Sequence, residues 1–515
     1  MQNNQKTQQS NVLKIALFAT GLSGIVAEYS LSTLASYFLG DSLVQWTMTV
    51  STMLFSMGLG SRVSRYIRKN LLEKLIFIEF LLSILTSLST VLVYTVAGYS
   101  HYTGFFIYGL GILIGMLIGL EIPLVTRINE EYESLRENIS AVMEKDYYGS
   151  LVGGVFFAFV GLQYLKMTYT PFVLGALNFL VAIWLYIKLQ HYVQKTHKLS
   201  LNTALGITSV LLVLGAIFAE PIVLFGEQKR YKDKIIFSEQ SKYQNITLTK
   251  WQEYYWLFIN HHQQLSTLDE YLYHEPMVHS VMSLVPHAKN ILIMGGGDGC
   301  AARELLKYPD IESITLVDLD PLMTDLAKNN EIFLEFNKNS MNSPKVKVIN
   351  TDGYTFMEQN TAFYDVIIVD LPDPKNVDLN KLYTESFYGL CHRQLRPDGA
   401  FITQSGSPYY ATKAFRCIEV TLQAAGFQTL PLHNQVLTLG EWGWTIGSKK
   451  LHSEKIKSIL RQSKPQVPTR WLTAESMALI TSFGKNLVDV GQVEVNTINN
   501  PVLYRYYLDG NWEYY

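Results

Sequence analysis

Cysteine is scarce. Cys300, Cys391 and Cys417 are the only three in 515 residues, with no CxxC spacing and no interleaved histidines, so neither a disulfide framework nor a structural zinc site is offered. Charge is scarce too: Asp, Glu, Lys and Arg make up 17%, against about a quarter in ordinary globular chains, and the formal net charge is -2. Without a basic excess there is no global electrostatic drive towards nucleic acid, which is excluded as an expected partner. What is abundant is apolar surface. Hydrophobic residues reach 48% and the mean hydropathy is +0.10. The length exceeds what one core usually supports, so at least two domains are expected, one of them in a lipid bilayer.

The apolar residues concentrate before residue 226. A spanning helix needs roughly 20 of them in a row, because every backbone polar group must be satisfied within the segment. Seven stretches qualify, near residues 13–38, 43–60, 73–97, 103–125, 147–165, 171–189 and 203–224. The start, MQNNQKTQQSNVLKIALF, runs from polar into apolar without a small-residue cleavage site, which predicts a retained first helix. Basic residues after the second, fourth and sixth stretches (Arg62, Arg65, Arg68 and Lys69; Arg127, Arg136 and Lys145; Lys188, Lys195 and Lys198) place those loops in the cytoplasm. Seven spans then put the second half outside, whereas Lys229, Arg230, Lys232 and Lys234 after the last one argue for inside. The expectation adopted is an inner-membrane protein with a cytoplasmic second half. Glu28, Glu79, Glu121 and Asp146 fall in or beside spans, where they serve either a cation path or helix-packing hydrogen bonds. Gly149, Gly153 and Gly154 allow close helix approach.

From residue 289 the pattern becomes apolar strand, turn, amphipathic helix, repeated. Strands are predicted at 290–295, 313–320, 346–352, 364–371 and 399–405, with helices near 299–308, 321–331, 383–395 and 409–425. Near-continuous apolar strands alternating with helices imply a Rossmann-like, doubly wound parallel sheet with its ligand at the carboxyl ends of the strands. Alternating aromatic segments in 232–265 predict a small antiparallel sheet before it. The expected domains are 1–226, helical and transmembrane; 227–288, small β; 289–450, Rossmann-like; and 451–515, a helical tail.

Acids gather at the predicted ligand edge. The first strand ends in GGGDG, residues 295–299, whose glycines (Gly295 and Gly297 among them) let backbone approach a ligand at a helix N-terminus. About 20 residues on, Asp318 stands where a ribose diol is gripped, and Asp352 with Gly353 suits an adenine amino group. Asp298 inside the turn repels a ligand carboxylate and attracts a bare ammonium, favouring a decarboxylated nucleoside sulfonium. Asp370 and Asp373, in DLPDP, form a cation trap.

These motifs resemble the spermidine synthase family of polyamine aminopropyltransferases, and the whole chain resembles its membrane-embedded bacterial branch. The likeness runs through SKYQN (241–245), LDEYLYHEP (268–276), ILIMGGGDG, VDLD, TDGY, VDLPDP and GEWGWTIGSK (440–449). The tail segments TRWLT (469–473) and VEVNTINNPVLYRYY (493–507) share it. The resemblance implies transfer of an aminopropyl group from decarboxylated S-adenosylmethionine, a co-substrate, to putrescine or a related amine, with release of methylthioadenosine and without metal or other cofactor. It casts Asp370 as catalytic base, assisted by Tyr273. Gln244, Gln264, Gly295, Gly297, Asp298, Asp318, Asp352 and Gly353 would bind the donor, and His274, Asp298 and Asp373 the acceptor amine. Two departures touch the acceptor pocket: Leu371 and Pro372 replace a pair of serines, and Leu437 stands where a tyrosine is usual. A methyltransferase on the same fold, and a polyamine transporter or sensor with a binding-only domain, remain as alternatives; homo-oligomerisation, as a dimer or larger, stays open.

Overall fold

The computed structural model describes residues 2–40, 42–100, 102–375, 377–484 and 491–512. It divides into two compact units, Met1–Lys232 and Asp233–Tyr515.

The first unit is helical: α1 Gln2–Leu39, α2 Ser42–Ser64, α3 Leu71–Ala97, α4 Thr103–Asn129, α5 Leu135–Phe156, α6 Lys166–Leu189 and α7 Lys195–Arg230. Five described stretches, Gln9–Leu39, Leu71–Ala97, Thr103–Asn129, Leu135–Leu189 and Lys195–Arg230, are long and apolar enough to cross a membrane. The expected stretch at 43–60 lies in α2, which is not among them because Gln45 and a series of threonines and serines dilute its apolar residues. The two expected at 147–165 and 171–189 share the 55-residue stretch Leu135–Leu189. It is not one straight rod. The Thr170 hydroxyl donates to the Gly161 carbonyl at 2.8 Å, whereas nine residues of straight helix would separate them by about 13 Å. The chain folds back at Lys166, whose φ of 56° and ψ of 173° leave the helical region. Glycine allows a close crossing: a Cβ at Gly149 or Gly153 would lie 2.0 Å from the Phe18 carbonyl or 2.3 Å from that of Leu22, so α5 packs on α1 backbone to backbone. At Gly154 the nearest atom would be an ordinary 3.7 Å away.

The second unit opens with a four-stranded antiparallel sheet, β1 Lys234–Gln240, β2 Asn245–Trp251, β3 Tyr254–Ile259 and β4 His262–Ser266, paired in chain order. Helix α8, Tyr271–Met282, leads into a seven-stranded sheet. Its strands are β5 Asn290–Gly295, β6 Ser313–Asp318, β7 Val346–Asn350, β8 Tyr364–Asp370, β9 Leu395–Gly406, β10 Gln428–Val436 and β11 Gly440–Ser448, in the order β10-β11-β9-β8-β5-β6-β7. Strands β5 to β9 pair in parallel, and β11 and β10 add antiparallel. Period-two alternation gives each face its own core: Ile291 and Ile293 of β5 join one cluster, Leu292 and Met294 the other. Strands β6 and β7 progress to one side of β5, β8 and β9 to the other. The order therefore reverses between β5 and β8, the switch point where such sheets bind ligands. In the tail, helices Ser453–Gln462, Ala474–Leu479 and Leu503–Leu508 alternate with irregular chain.

Candidate active site

The glycine turn after β5 is built against the end of β8. Gly295 and Gly296 have φ of 81° and 62°, a region that side chains disfavour. The Gly296 amide donates to the Asp370 carbonyl at 3.0 Å, and a Cβ at Gly295 would sit 2.1 Å from that oxygen. At Gly297 a Cβ would come within 2.5 Å of Asp318 Oδ2, so the missing side chain keeps the mouth of β6 open. Asp298 accepts the Cys300 amide at 2.7 Å, fixing it over the start of the helix Cys300–Leu305.

Asp370 is the centre of the geometry. Tyr273 Oη donates to its Oδ1 at 2.7 Å, and His274 Nε2 lies 4.0 Å from its Oδ2. One atom each from His274, Asp298 and Asp370 falls within 4.8 Å of the others. Burial pushes the Asp370 carboxyl up to about 6, aided by the Asp298 charge and opposed by His274 and the Tyr273 hydrogen bond. His274 Nδ1 bonds Glu270 Oε2 at 2.8 Å, and Arg303 grips both Glu270 oxygens at 3.0 and 2.9 Å. Burial alone would lower the imidazole, but the Glu270 hydrogen bond and charge outweigh it and hold His274 at about 9. The spacing of His274, Asp298 and Asp370 is also one that could hold a metal ion. Trp444 packs edge-on against Tyr273, ring centroids 5.2 Å apart.

At the end of β6, Asp318 Oδ1 accepts the Asp320 amide at 2.9 Å. Burial, with the charges of Asp320 and Asp298, raises Asp318 to about 6. The turn bearing Gln244 is tied to the same strand end, since Ser241 Oγ donates to Asp320 Oδ2 at 2.7 Å and accepts the Gln244 amide at 3.0 Å. Asp352 caps the helix that Gly353 opens: Oδ1 accepts the Thr355 amide at 2.9 Å, and Oδ2 meets Lys381 Nζ at 2.6 Å. Burial raises this carboxyl, but Lys381 and Thr355 outweigh it and hold it below the ordinary range. Gln264 donates to the carbonyls of His262 and Gln263 in its own strand rather than to Asp298.

On the far side, Asp373 Oδ2 accepts Tyr507 Oη at 2.6 Å, Gln404 Nε2 lies 3.3 Å from Oδ1, and Lys375 Nζ is 3.6 Å from Oδ2. Sequence reasoning passed over Glu270, Arg303, Lys375 and Tyr507. Glu270 and His274 stand four apart at the start of α8, a spacing that makes helical neighbours and could have drawn notice. Nothing local marks Tyr507, 134 positions beyond its partner.

Comparison with known proteins gives a consistent picture. The spermine/spermidine synthase domain family matches residues 270–458. A polyamine aminopropyltransferase of Oceanobacillus iheyensis is 36% identical, with 100% of this chain and 100% of its own covered. A polyamine aminopropyltransferase 2 of Aquifex aeolicus is 41% identical, covering 97% and 98%. Among solved structures, a spermidine synthase in complex with the transition state analogue AdoDATO is 26% identical over 49% of this chain and 86% of its own, with a TM-score of 0.45.

Proposed function

The chain belongs to the polyamine aminopropyltransferases, enzymes of the spermidine synthase type, and on that premise we propose how its residues divide the work. The donor is decarboxylated S-adenosylmethionine, a co-substrate. The acceptor is putrescine or a related diamine. The observation that carries this assignment is the meeting of Asp298, His274 and Asp370 at the switch point. An ammonium-ended donor satisfies Asp298, while its ribose hydroxyls are suited to Asp318. The amine nitrogen attacks the methylene beside the sulfonium; the carbon–sulfur bond breaks, its electron pair neutralises sulfur, and methylthioadenosine leaves. The nitrogen's surplus proton passes to Asp370. The sulfonium is already an activated leaving group, so positioning and proton acceptance are the protein's main tasks. A carboxyl near 6 is ionised at neutral pH yet basic enough to take that proton. Tyr273 aims the carboxylate, and His274 keeps it charged.

We further infer that the helical unit lies in the cell membrane, its outward apolar side chains facing lipid. Supporting this, Val210, Val213, Ile217 and Phe218 of α7 are each more than half exposed. The basic residues from Lys229 onward favour a cytoplasmic enzyme domain.

The test is incubation of the full-length protein with decarboxylated S-adenosylmethionine and a panel of diamines, following methylthioadenosine. Release with a diamine and its loss in Asp370→Asn, with nucleoside binding kept, is the expected result. Full turnover in Asp370→Asn would refute the assigned base. Reporter fusions at the C-terminus, active only in the periplasm, would overturn the cytoplasmic placement.

A further inference from the structure

The tail of the chain reaches into the acceptor side of the site. Tyr507 lies in the helix Leu503–Leu508, outside the matched domain, which ends at residue 458. The segment leading to it is pinned to the sheet domain: Asn496 Nδ2 donates to the Tyr383 carbonyl at 3.0 Å, and its carbonyl accepts the Glu385 amide at 2.9 Å. Trp512 stacks on Tyr507 with centroids 4.6 Å apart and donates to its carbonyl at 2.7 Å. The phenol is thus held where it donates to Asp373 Oδ2 at 2.6 Å.

Asp373 also has a cation of its own. Lys375 Nζ stands 3.6 Å from the same oxygen and 5.6 Å from the centre of the Tyr507 ring, a carboxylate on one side and an aromatic face on the other. That pairing of anion and π-face is what an alkylammonium seeks. A free diamine that presents one nitrogen at Asp370 has its second ammonium to place, and Asp373, three residues on, is the next acid along the strand end. Two cations cannot share it without repulsion in a half-buried setting.

We propose that Lys375 is a built-in occupant of the subsite for the acceptor's distal ammonium, and that Tyr507 is a positioning residue which fixes Asp373 for either cation. Acceptor choice is therefore set by competition. Lys375 discounts the advantage of a second positive charge, so amines are sorted by how well they displace it. This rests on the aminopropyltransferase reading and on Asp373 facing the acceptor.

The experiment is steady-state kinetics of the full-length enzyme with a diamine and with a monoamine of the same length, following methylthioadenosine. In Lys375→Met the diamine KM should fall about tenfold, with kcat and donor KM within about twofold, and the preference for diamine over monoamine should widen by about the same factor. Tyr507→Phe keeps the ring but loses the hydrogen bond; it should raise diamine KM about fivefold and leave monoamine KM unchanged. An unchanged diamine-to-monoamine ratio in Lys375→Met, or a raised diamine KM, overturns the proposal. Asp373→Asn separates the two levels. If it leaves diamine KM unaltered while the wild type turns over, Asp373 does not bind the acceptor and the subsite is misplaced; if the wild type releases no methylthioadenosine with any amine, the underlying reading itself fails.

Discussion

Replacing His274 by glutamine tests how the base is kept charged. The substitution removes a cation 4.0 Å from Asp370 Oδ2 but leaves the bidentate Glu270–Arg303 pair in place, so the fold should survive. At 4 Å, two unit charges in a partly buried protein setting interact by up to about 4 kcal/mol. One pKa unit corresponds to about 1.4 kcal/mol, so Asp370 should climb from about 6 by roughly one to three units once screening is allowed for. At pH 7 the ionised fraction then falls from about nine tenths to between about a half and a hundredth. The readout is kcat/KM for methylthioadenosine release from pH 6 to 9.5, taken as the ratio of wild type to variant, so that ionisation of the amine cancels. The ratio should be largest near neutrality and shrink towards one as the pH passes the new Asp370 value. A ratio that stays flat across the range would show that His274 does not set the charge of the base.

Three further outcomes follow from the same geometry. Asp298→Asn should cut the preference for decarboxylated over carboxylated S-adenosylmethionine by about ten- to a hundredfold, measured as competing donor affinities, because the charge that repels a carboxylate is gone; an undiminished preference contradicts the role. Gly297→Ala puts a Cβ where Asp318 Oδ2 is 2.5 Å away, so donor KM should rise about tenfold by titration, and an unchanged KM would mean that Asp318 does not hold the donor. Glu270, held at about 2 against an ordinary 4.5, stabilises the fold above pH 4.5, and that contribution is lost as pH falls towards 2. His274, held at about 9 against 6.5, stabilises below pH 6.5 and loses this as pH rises through 9. The melting temperature of wild type relative to Glu270→Gln should therefore peak between about pH 4.5 and 6.5; a pH-independent difference would refute the pair's charge.

The parallel strands were legible because burial on both faces leaves continuous apolar runs such as NILIM and VIIV, and the ligand edge because acids stand where those runs stop. Strands β10 and β11 gave no such signal. QTLPLHNQV carries a proline and polar residues, as an antiparallel edge tolerates, and its partner reads as a run of glycines and tryptophans. The start of α5 escaped for the opposite reason: Arg136, Glu137, Glu144 and Lys145 are sound helix formers but fall outside any apolar window. Contacts such as Tyr507 to Asp373 and Thr438 to Asp269, at 2.9 Å, join positions more than a hundred residues apart, and no local pattern encodes them.

What sequence could not supply is the charge balance, and this sharpens the functional assignment. Read along the sheet edge, the acids look like one undivided cation trap. In three dimensions three of them have a cation within 4.0 Å: His274 at Asp370, Lys381 at Asp352 and Lys375 at Asp373. Among the described residues, Asp298 and Asp318 form no ion pair within 4.0 Å. In the proposed division of work these are two of three donor acids, the third, Asp352, being paired with Lys381; a ribose diol is served by an acceptor without a competing cation, and a terminal ammonium by a carboxylate with no ion pair. A site that merely concentrated negative charge would bind any polyamine at any acid. On the proposed reading, the acids without an ion pair sit in the glycine turn and at the end of β6, where the donor is assigned, while Asp370 and Asp373 each have a cation within 4.0 Å that can tune them.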